Sequence, residues 1–535
     1  SIYDMVHIFD NSQNNCVVLD FIEIGDSMSE MKKIGVVGAG AMGQGIAQIA
    51  AQAGYTVYLF DTRAEAVTAA QKQLQAIWQR QVERGRMTSE QTEAAYALIQ
   101  PCSQLEQLAD ADLVVEAIVE NLKIKQEVFQ NLEALVSETC ILASNTSSLS
   151  ITAIAQACQR PERVAGFHFF NPVPLMKVVE VIEGLRTDPQ VCEQLVAMAK
   201  AMGHTPVRAK DMPGFIVNHA GRPMNIEGLK IAQEQVADFA TIDAIMREQA
   251  GFRMGPFELM DLTALDVSHP VMESIYNQFY QEPRFRPSPI TAIRYAGGIL
   301  GRKTGEGFYR YEDGKKQLPE EPAIPALAAG VKVWLVPHHA EGYERAQALL
   351  QRLDVELVEA EEAPEDALLV ATPFGEDVAT IVAHFGLDAT RTVALDTAFG
   401  LEVGQRRVVM RSLLTADEWV QTARAVFGSD GTPVSVIEDS AGFVAQRLVA
   451  SIVNGACDIA QQGIASAEDI DTAVSLGLGY PKGGPLALGD ALGAEMLLEI
   501  LQSMQMITGD MRYRPSLWLQ RRVQLGVSLK TSRRA

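Results

Sequence analysis

Hydrophobic and polar positions follow two alternating periods from Lys33 onward. Lys33–Val37 is a short apolar run leading into glycines, and a run of that length bounded by a turn signal predicts a buried strand. Met42–Ala53 then sets Ile46, Ala47, Ile49, Ala50 and Ala53 at helical spacing, and Gly54 stops the helix. Tyr55–Phe60 predicts a second strand ending at Asp61, and Ala64–Arg84 a long helix. Further apolar strands are predicted at Leu113–Ala117, Ile141–Ser144, Arg163–Phe167 and Val178–Ile182, with helical segments between them. Such alternation predicts an α/β domain with a parallel sheet covered by helices on both faces.

The character changes at Pro213. It can open a helix, with Asp211 as its cap, and from there to about Tyr311 the pattern is all helical. A Pro/Glu-rich linker, Leu318–Pro325, follows. The chain then repeats itself. PVRAKDMPGFIVN at Pro206–Asn218 returns as PVSVIEDSAGFVAQ at Pro433–Gln446, and from Asn218 and Gln446 onward the offset is a constant 228: Ile242-Asp243 returns as Ile470-Asp471, and Arg284–Ser288 as Arg512–Ser516. The stretch from Val331 to about Val434 reads as a faded copy of the first α/β domain. In this reading Asp366–Thr372 resembles Ala111–Ile118, and Val393–Ala398 resembles Leu142–Ser147. The expected plan is a leader over 1–30, a nucleotide-binding α/β domain over 31–210, and an all-α domain over 211–317. A shrunken, degenerate α/β segment over 318–432 and a second all-α domain over 433–535 complete it.

Composition adds limits. Apolar residues make up 47% and charged residues 21%, an ordinary soluble balance. The net charge of −22 speaks against a nucleic-acid binder, which needs a basic footprint. No apolar run reaches the ~18 residues of a membrane span. The six cysteines are scattered without a CxxC, so reduced buried thiols and a cytoplasmic location are expected. Residues 1–30 lack a basic start, and Asp20 and Glu23 break their apolar stretch, so they do not read as a secretory signal. They are either a native arm or a remnant of cloning.

The candidate chemistry begins at Gly38-Ala39-Gly40-Ala41-Met42-Gly43. The first glycine serves the tight turn, the second lets backbone approach a pyrophosphate, and the third permits close helix–strand packing, which is the Rossmann dinucleotide fingerprint. Alone it is weak; here it follows a strand, opens a helix and precedes Asp61 by 21 residues from Gly40. A carboxylate there suits a ribose 2′-hydroxyl and repels a 2′-phosphate, favouring NAD over NADP. His168 lies among phenylalanines, where a core histidine is the commoner meaning. Glu180, in the next strand, changes that: a carboxylate in an apolar strand needs a partner, and a paired His is an oriented, more basic imidazole. Ser147, in Asn145-Thr146-Ser147-Ser148, stands at a strand's C-terminal end, where open sheets bind ligands; capping of the next helix, by Ser148 or Ser150, is its plainer role. Asn218, taken by type, is an ordinary polar helix residue. No metal cluster is expected.

GAGAMGQG, NTSSL, HFFNPVPLMKVVEV and PGFIVN, in this order and spacing, together resemble the 3-hydroxyacyl-CoA dehydrogenases. The likeness covers Lys33 to about Tyr311, and the layout of the whole resembles the long, duplicated bacterial 3-hydroxybutyryl- and 3-hydroxyadipyl-CoA dehydrogenases, including those of phenylacetate catabolism. The resemblance implies oxidation of an (S)-3-hydroxyacyl-CoA by NAD, with His168 taking the hydroxyl proton, Glu180 holding His168, and Ser147 and Asn218 bonding the substrate oxygens. It implies cofactor contacts from Gly38, Gly40, Met42, Gly43, Asp61, Glu120, Lys125, Asn171 and Lys303. It places CoA near the helix Ala64–Arg84, with Lys72, Arg80 and above all Arg84 as cations. Arg253 and His219 depart from residues common in the family, Pro and Arg respectively, and leave the acyl chain open. In the second half, Pro337, His339 and Gly342 stand for the three glycines, Ala398 for Ser147, Gln446 for Asn218 and Arg411-Ser412 near His168. A catalytically inert copy is therefore expected, with Ser440–Ala535 covering the first helical domain as an internal pseudo-partner. A homodimer is the other expected arrangement. The competing functions are dehydrogenation of a free β-hydroxy acid and a non-catalytic NAD-binding scaffold.

Overall fold

The computed structural model describes residues 31–533; the expected leader and Cys16 lie outside the described residues. The first sheet has eight strands, β1 (Lys33–Val37), β2 (Thr56–Phe60), β3 (Ile99–Cys102), β4 (Leu113–Glu116), β5 (Ile141–Ser144), β6 (Val164–Phe169), β7 (Val178–Glu183) and β8 (Thr205–Lys210). Their spatial order is β3-β2-β1-β4-β5-β6-β7-β8. The chain runs outward from β1 on one side, then returns to place β4 on the other. That reversal is the switch point at which open α/β sheets form a ligand crevice.

The expected parallel sheet needs one correction: β6 and β7 are antiparallel, with His168 directly opposite Glu180. Eight residues, 170–177, join them, too few for the crossover that a parallel pair requires. β3 was not legible because Pro101 interrupts its pattern; an edge strand tolerates Pro. The helix expected to begin at Pro213 is also corrected. Residues Pro213–Ile216 form a turn, with Gly214 and Phe215 at positive φ, and the helix is Val217–Ala220. Asp211 caps a different helix, Ile151–Ala155, accepting from Ile151 N at 3.1 Å and Thr152 N at 2.8 Å.

A small hairpin, β9 (Tyr311–Glu312) and β10 (Lys315–Lys316), follows the first helical region. The second sheet contains β11 (Lys332–Leu335), β12 (Glu356–Leu357), β13 (Leu368–Ala371), β14 (Thr392–Leu395), β15 (Arg407–Arg411) and β16 (Val434–Ile437), in the order β12-β11-β13-β14-β15-β16. Here the alignment read from sequence is overturned. β14 pairs antiparallel with β15 in the register of β6 with β7, Leu395 facing Val409 as Phe167 faces Val181. Arg391, before β14, donates to Ala367 O and Pro364 O, as Arg163, before β6, donates to Cys140 O and Ser137 O. Asp439 caps the helix Val378–Phe385 as Asp211 caps Ile151–Ala155. So β14 corresponds to β6, not to Ile141–Ser144, and β13 corresponds to β5, not to Leu113–Ala117. Among the described residues the second sheet has no counterparts of β3 and β4. A short apolar β-run carries no mark of which buried strand it is, so similarity of composition misaligned them.

The two helical regions face each other. The helix Arg222–Gln233 packs along Ala445–Gln461, and contacts repeat reciprocally. Lys210 N–H donates to Ile464 O at 2.8 Å while Glu438 N–H donates to Val236 O at 2.9 Å, and both pairs are related by the 228-residue offset. Phe252 and its counterpart Tyr480 stack edge to face, centroids 5.1 Å apart. Residue i touching j while j touches i is the mark of an isologous interface. One breach of this symmetry stands out. Arg447 and Glu227 form a buried pair at 2.8 Å, joined by Tyr513 Oη at 2.6 Å. At the related position stand His219 and Gly455, beside a cavity of about 20 Å³.

Candidate active site

The glycine loop is shaped by close approaches. A Cβ on Gly38, at φ 109°, would lie 2.3 Å from Ala117 O, and one on Gly43 would lie 1.8 Å from Gly38 O. Gly40 differs: no atom stands within 4 Å of where its Cβ would be. It precedes the helix Ala41–Gln52, whose first turn has no acidic residue. Free N–H groups, a positive helix end and open space above Gly40 fit a pyrophosphate. Met42 is half-buried beside it. Asp61 sits against this loop, but its Oδ2 accepts from Ala39 N at 2.9 Å and its Oδ1 from Arg63 N at 2.9 Å. It therefore also braces the loop it was expected to complement.

The next cluster is centred on Glu120. Its Oε2 accepts from Thr146 Oγ1 at 2.9 Å, Ser148 Oγ at 2.7 Å and Ser147 N at 3.3 Å. Burial opposes the charge, but Lys125 and these hydroxyls outweigh it and hold the carboxyl below its usual range. Lys125 is only 1% exposed and is committed to Glu116 and Glu120, so any cofactor contact it makes comes from within an ion-pair cluster. Sequence reasoning missed Glu116. It is a fully buried carboxylate at the end of β4, accepting from Ser144 Oγ at 2.6 Å and Ile118 N at 2.7 Å. The signal that singled out Glu180, an acid in an apolar strand, was present there too.

His168 and Glu180 meet across the one antiparallel pairing of the sheet. His168 Nδ1 lies 2.5 Å from Glu180 Oε2, and the two side chains are 6% and 0% exposed. Glu180 Oε1 accepts from Ile216 N at 2.9 Å and Val217 N at 3.0 Å. With two backbone donors and the ring N–H aimed at it, the carboxylate is fully used, and Nε2 of His168 is left as the ring's acceptor. Phe170 and Phe215 flank the ring, centroids 4.4 Å and 5.9 Å away. Asn218 follows Val217 directly, so one carboxylate fixes both the imidazole and the start of the helix carrying Asn218. Asn145, also unpredicted, accepts from Phe169 N at 2.8 Å and holds the end of β6 beside the Ser147 turn.

The remaining residues are dispersed. Asn171 is exposed just after β6, and Arg84 is exposed just past the helix Ala64–Glu83. Lys303 pairs with Asp266 on the helical side. Its loop is pinned by Asp261, which accepts from Phe308 N at 2.8 Å and Tyr309 N at 3.1 Å. Among the described residues, no three His, Cys, Asp or Glu side chains are grouped to hold a metal ion.

Other residues stand at the corresponding positions of the second half. Asp396 stands at the register of His168, its N–H bonded to Val408 O, and Val408, facing it, stands where Glu180 would be. By the corrected alignment Phe374, not Ala398, takes the place of Ser147, and Arg411 falls at Glu183. Gln446, at Asn218's position, donates to Asp396 Oδ1 at 2.9 Å and accepts from Gly375 N at 2.8 Å. His339 caps the helix Ala340–Arg352 through Gly342 N at 3.1 Å and reaches Glu499 at 3.0 Å, so a side chain occupies the helix end that is open in the first half.

Comparison with known proteins identifies two kinds of domain along the chain. Residues 33–212 match the family model described as 3-hydroxyacyl-CoA dehydrogenase, NAD binding domain. Residues 214–311 and 442–534 both match the 3-hydroxyacyl-CoA dehydrogenase C-terminal domain. The chain is 38% identical over 498 residues to the 3-hydroxyadipyl-CoA dehydrogenase of Escherichia coli K12, covering 93% of this chain and 98% of that one. It is 42% identical to a probable 3-hydroxybutyryl-CoA dehydrogenase of Bacillus subtilis, which spans only 53% of this chain but 99% of its own length. A crystal structure of 3-hydroxybutyryl-CoA dehydrogenase from E. coli K12 superposes with a TM-score of 0.81 at 36% identity, covering 93% and 99% of the two chains.

Proposed function

The chain belongs to the 3-hydroxyacyl-CoA dehydrogenase family and is an NAD-dependent enzyme of it, and from that premise we propose that its first half oxidises an (S)-3-hydroxyacyl-CoA to the 3-oxoacyl-CoA with His168 as base. The observation that carries this reading is the chain of contacts from His168 through Glu180 to Ile216 and Val217, one residue from Asn218 and on the same sheet whose first strand leads into the glycine loop. NAD, when bound, supplies the hydride acceptor. Gly38, Gly40, Met42 and Gly43 would hold its pyrophosphate side, Asp61 the adenosine ribose, and Glu120, Lys125, Asn171 and Lys303 the nicotinamide side. His168 Nε2 takes the C3-hydroxyl proton, and Glu180 stabilises the imidazolium that forms. Ser147 and Asn218 hydrogen-bond the C3 oxygen and the thioester carbonyl, fixing which hydrogen faces the cofactor. Arg84, with Lys72 and Arg80 on the same exposed helix, offers cations to the CoA phosphates. The reaction belongs to fatty-acid or aromatic-acid breakdown. His168→Gln should lower kcat by roughly 10²–10⁴ with NAD affinity unchanged; wild-type turnover in that variant would remove His168 from the mechanism.

We further propose that the second half is a degenerate duplicate serving as an internal pseudo-partner. The reciprocal contacts at a constant offset support this, as does the loss of the His–Glu pair, the serine and the open helix end from the same half.

A further inference from the structure

The second half keeps a cleft although it has lost the reactive groups. This cleft, of about 970 Å³, opens between the second sheet and both helical regions. It is of the size that holds small-molecule ligands. Its lining includes Gln249, Arg345, Ala348, Arg352, Lys482 and Leu492. The inner wall adjoins Asp396, the residue at His168's register, whose carboxyl feels both Gln249 and Arg345.

Two observations separate this cleft from an ordinary crevice. The first is unmet hydrogen bonding. Gln249, on the lining and only 3% exposed, hydrogen-bonds the Asp396 carboxyl with its amide, and its Oε1 is left without a partner. Buried polar atoms without partners are costly and uncommon, and an acceptor left open on a cleft wall points to a donor on a ligand. The second is the charge and apolar character of the walls. Arg345 is shared with Glu341 and Thr397 O, and Arg352 with Glu402 and Leu401 O. Lys482 is exposed with no acidic partner among the described residues. The floor between them is apolar, from Ala348, Phe399, Leu488 and Leu492.

We propose that this cleft is a second, non-catalytic binding site for an amphipathic organic anion, an acyl-CoA thioester, with its phosphates on Arg345, Arg352 and Lys482, a pantetheine amide N–H donating to Gln249 Oε1, and its acyl chain along the apolar floor. Turnover there is excluded by the side chains: Asp396 faces Val408 instead of a carboxylate, and His339 closes the helix end. The site lies in a different half from the proposed catalytic cleft, so the two can be tested apart.

The test is calorimetric titration of the full chain, saturated with NADH, with octanoyl-CoA, and separately with octanoate and with CoA. Wild type should bind two octanoyl-CoA per chain. Arg352→Glu/Lys482→Glu, and independently Ala348→Trp, whose exposed position fills the cleft without disturbing the core, should bind one, with second-site affinity at least tenfold weaker. Turnover by the first half should stay within twofold in both variants. Octanoate or CoA bound in wild type and lost in the variants supports the proposal and tells which end is recognised. One equivalent in wild type that both variants retain overturns it, as do two equivalents that both variants retain. Failure of the catalytic reading looks different: one equivalent in wild type and none in the variants.

Discussion

At the scale of single residues, Glu180 does two jobs that a conservative change separates. Glu180→Gln keeps the shape but cannot satisfy His168 and two backbone N–H groups together, because its amide nitrogen turns a donor toward a donor. A buried donor left unpaired costs about 1–3 kcal/mol, and an imidazole in the wrong tautomer is a poor base. The expected outcome is a kcat lower by roughly 10²–10⁴ together with a measurable loss of stability in urea; normal turnover would show that His168 does not depend on this partner. His219 makes a second prediction. It is fully buried with neither ring nitrogen partnered, and burial pushes it down to about 4, more than Asp458 raises it. The unfolded chain takes up its proton near 6.5 and the folded chain only near 4, so stability falls as pH drops through that window, on the order of 3 kcal/mol in all. His219→Leu should flatten the pH dependence of unfolding between those limits. An unchanged slope would show that another group controls it.

At the scale of elements, the glycine loop distinguishes packing from binding. Gly43→Ala pushes a methyl into Gly38 O and should lower Tm as well as NAD affinity. Gly40→Ala meets nothing in the protein and should leave Tm unchanged while weakening NAD at least about tenfold, roughly 1.4 kcal/mol. Equal Tm losses in both variants would mean that the space above Gly40 is structural. This loop was legible in sequence because its glycines, strand and helix are local. The strand pairing of His168 with Glu180 was legible in part: the two residues were matched by chemistry, while the antiparallel turn that joins them was not, since hydrophobic runs do not encode direction. Asp211 was misread for the same reason. A capping side chain announces that it will cap, and the tertiary fold decides which helix receives it. In the second sheet, β14 was read as the strand before Ser147 because both are short apolar runs followed by small polar residues; only Arg391 and the strand register reveal its true counterpart.

At the scale of the whole molecule, the duplication was the clearest signal in the sequence, and its three-dimensional meaning is the reciprocal interface. The helix Arg222–Gln233 has most of its residues buried, including Met224, Ile226 and Leu229, and much of that cover comes from Ala445–Gln461. Removing residues 318–535 should expose an apolar face and give aggregates or dimers by light scattering; a well-behaved, active monomer would contradict the role assigned to the second half. The departure at Arg253 finds its place here, since its side chain lies against Gly479 across the same interface. The central claim is that the first half oxidises the hydroxyl of a CoA thioester. Its most direct test is the initial rate of NAD reduction by the full chain across a panel of (S)-3-hydroxyacyl-CoA esters and the matching free acids. The account predicts turnover of the thioesters with NAD, negligible rates with the free acids, and loss of the signal in His168→Gln; comparable rates with the free acids, or turnover that survives in His168→Gln, would contradict it.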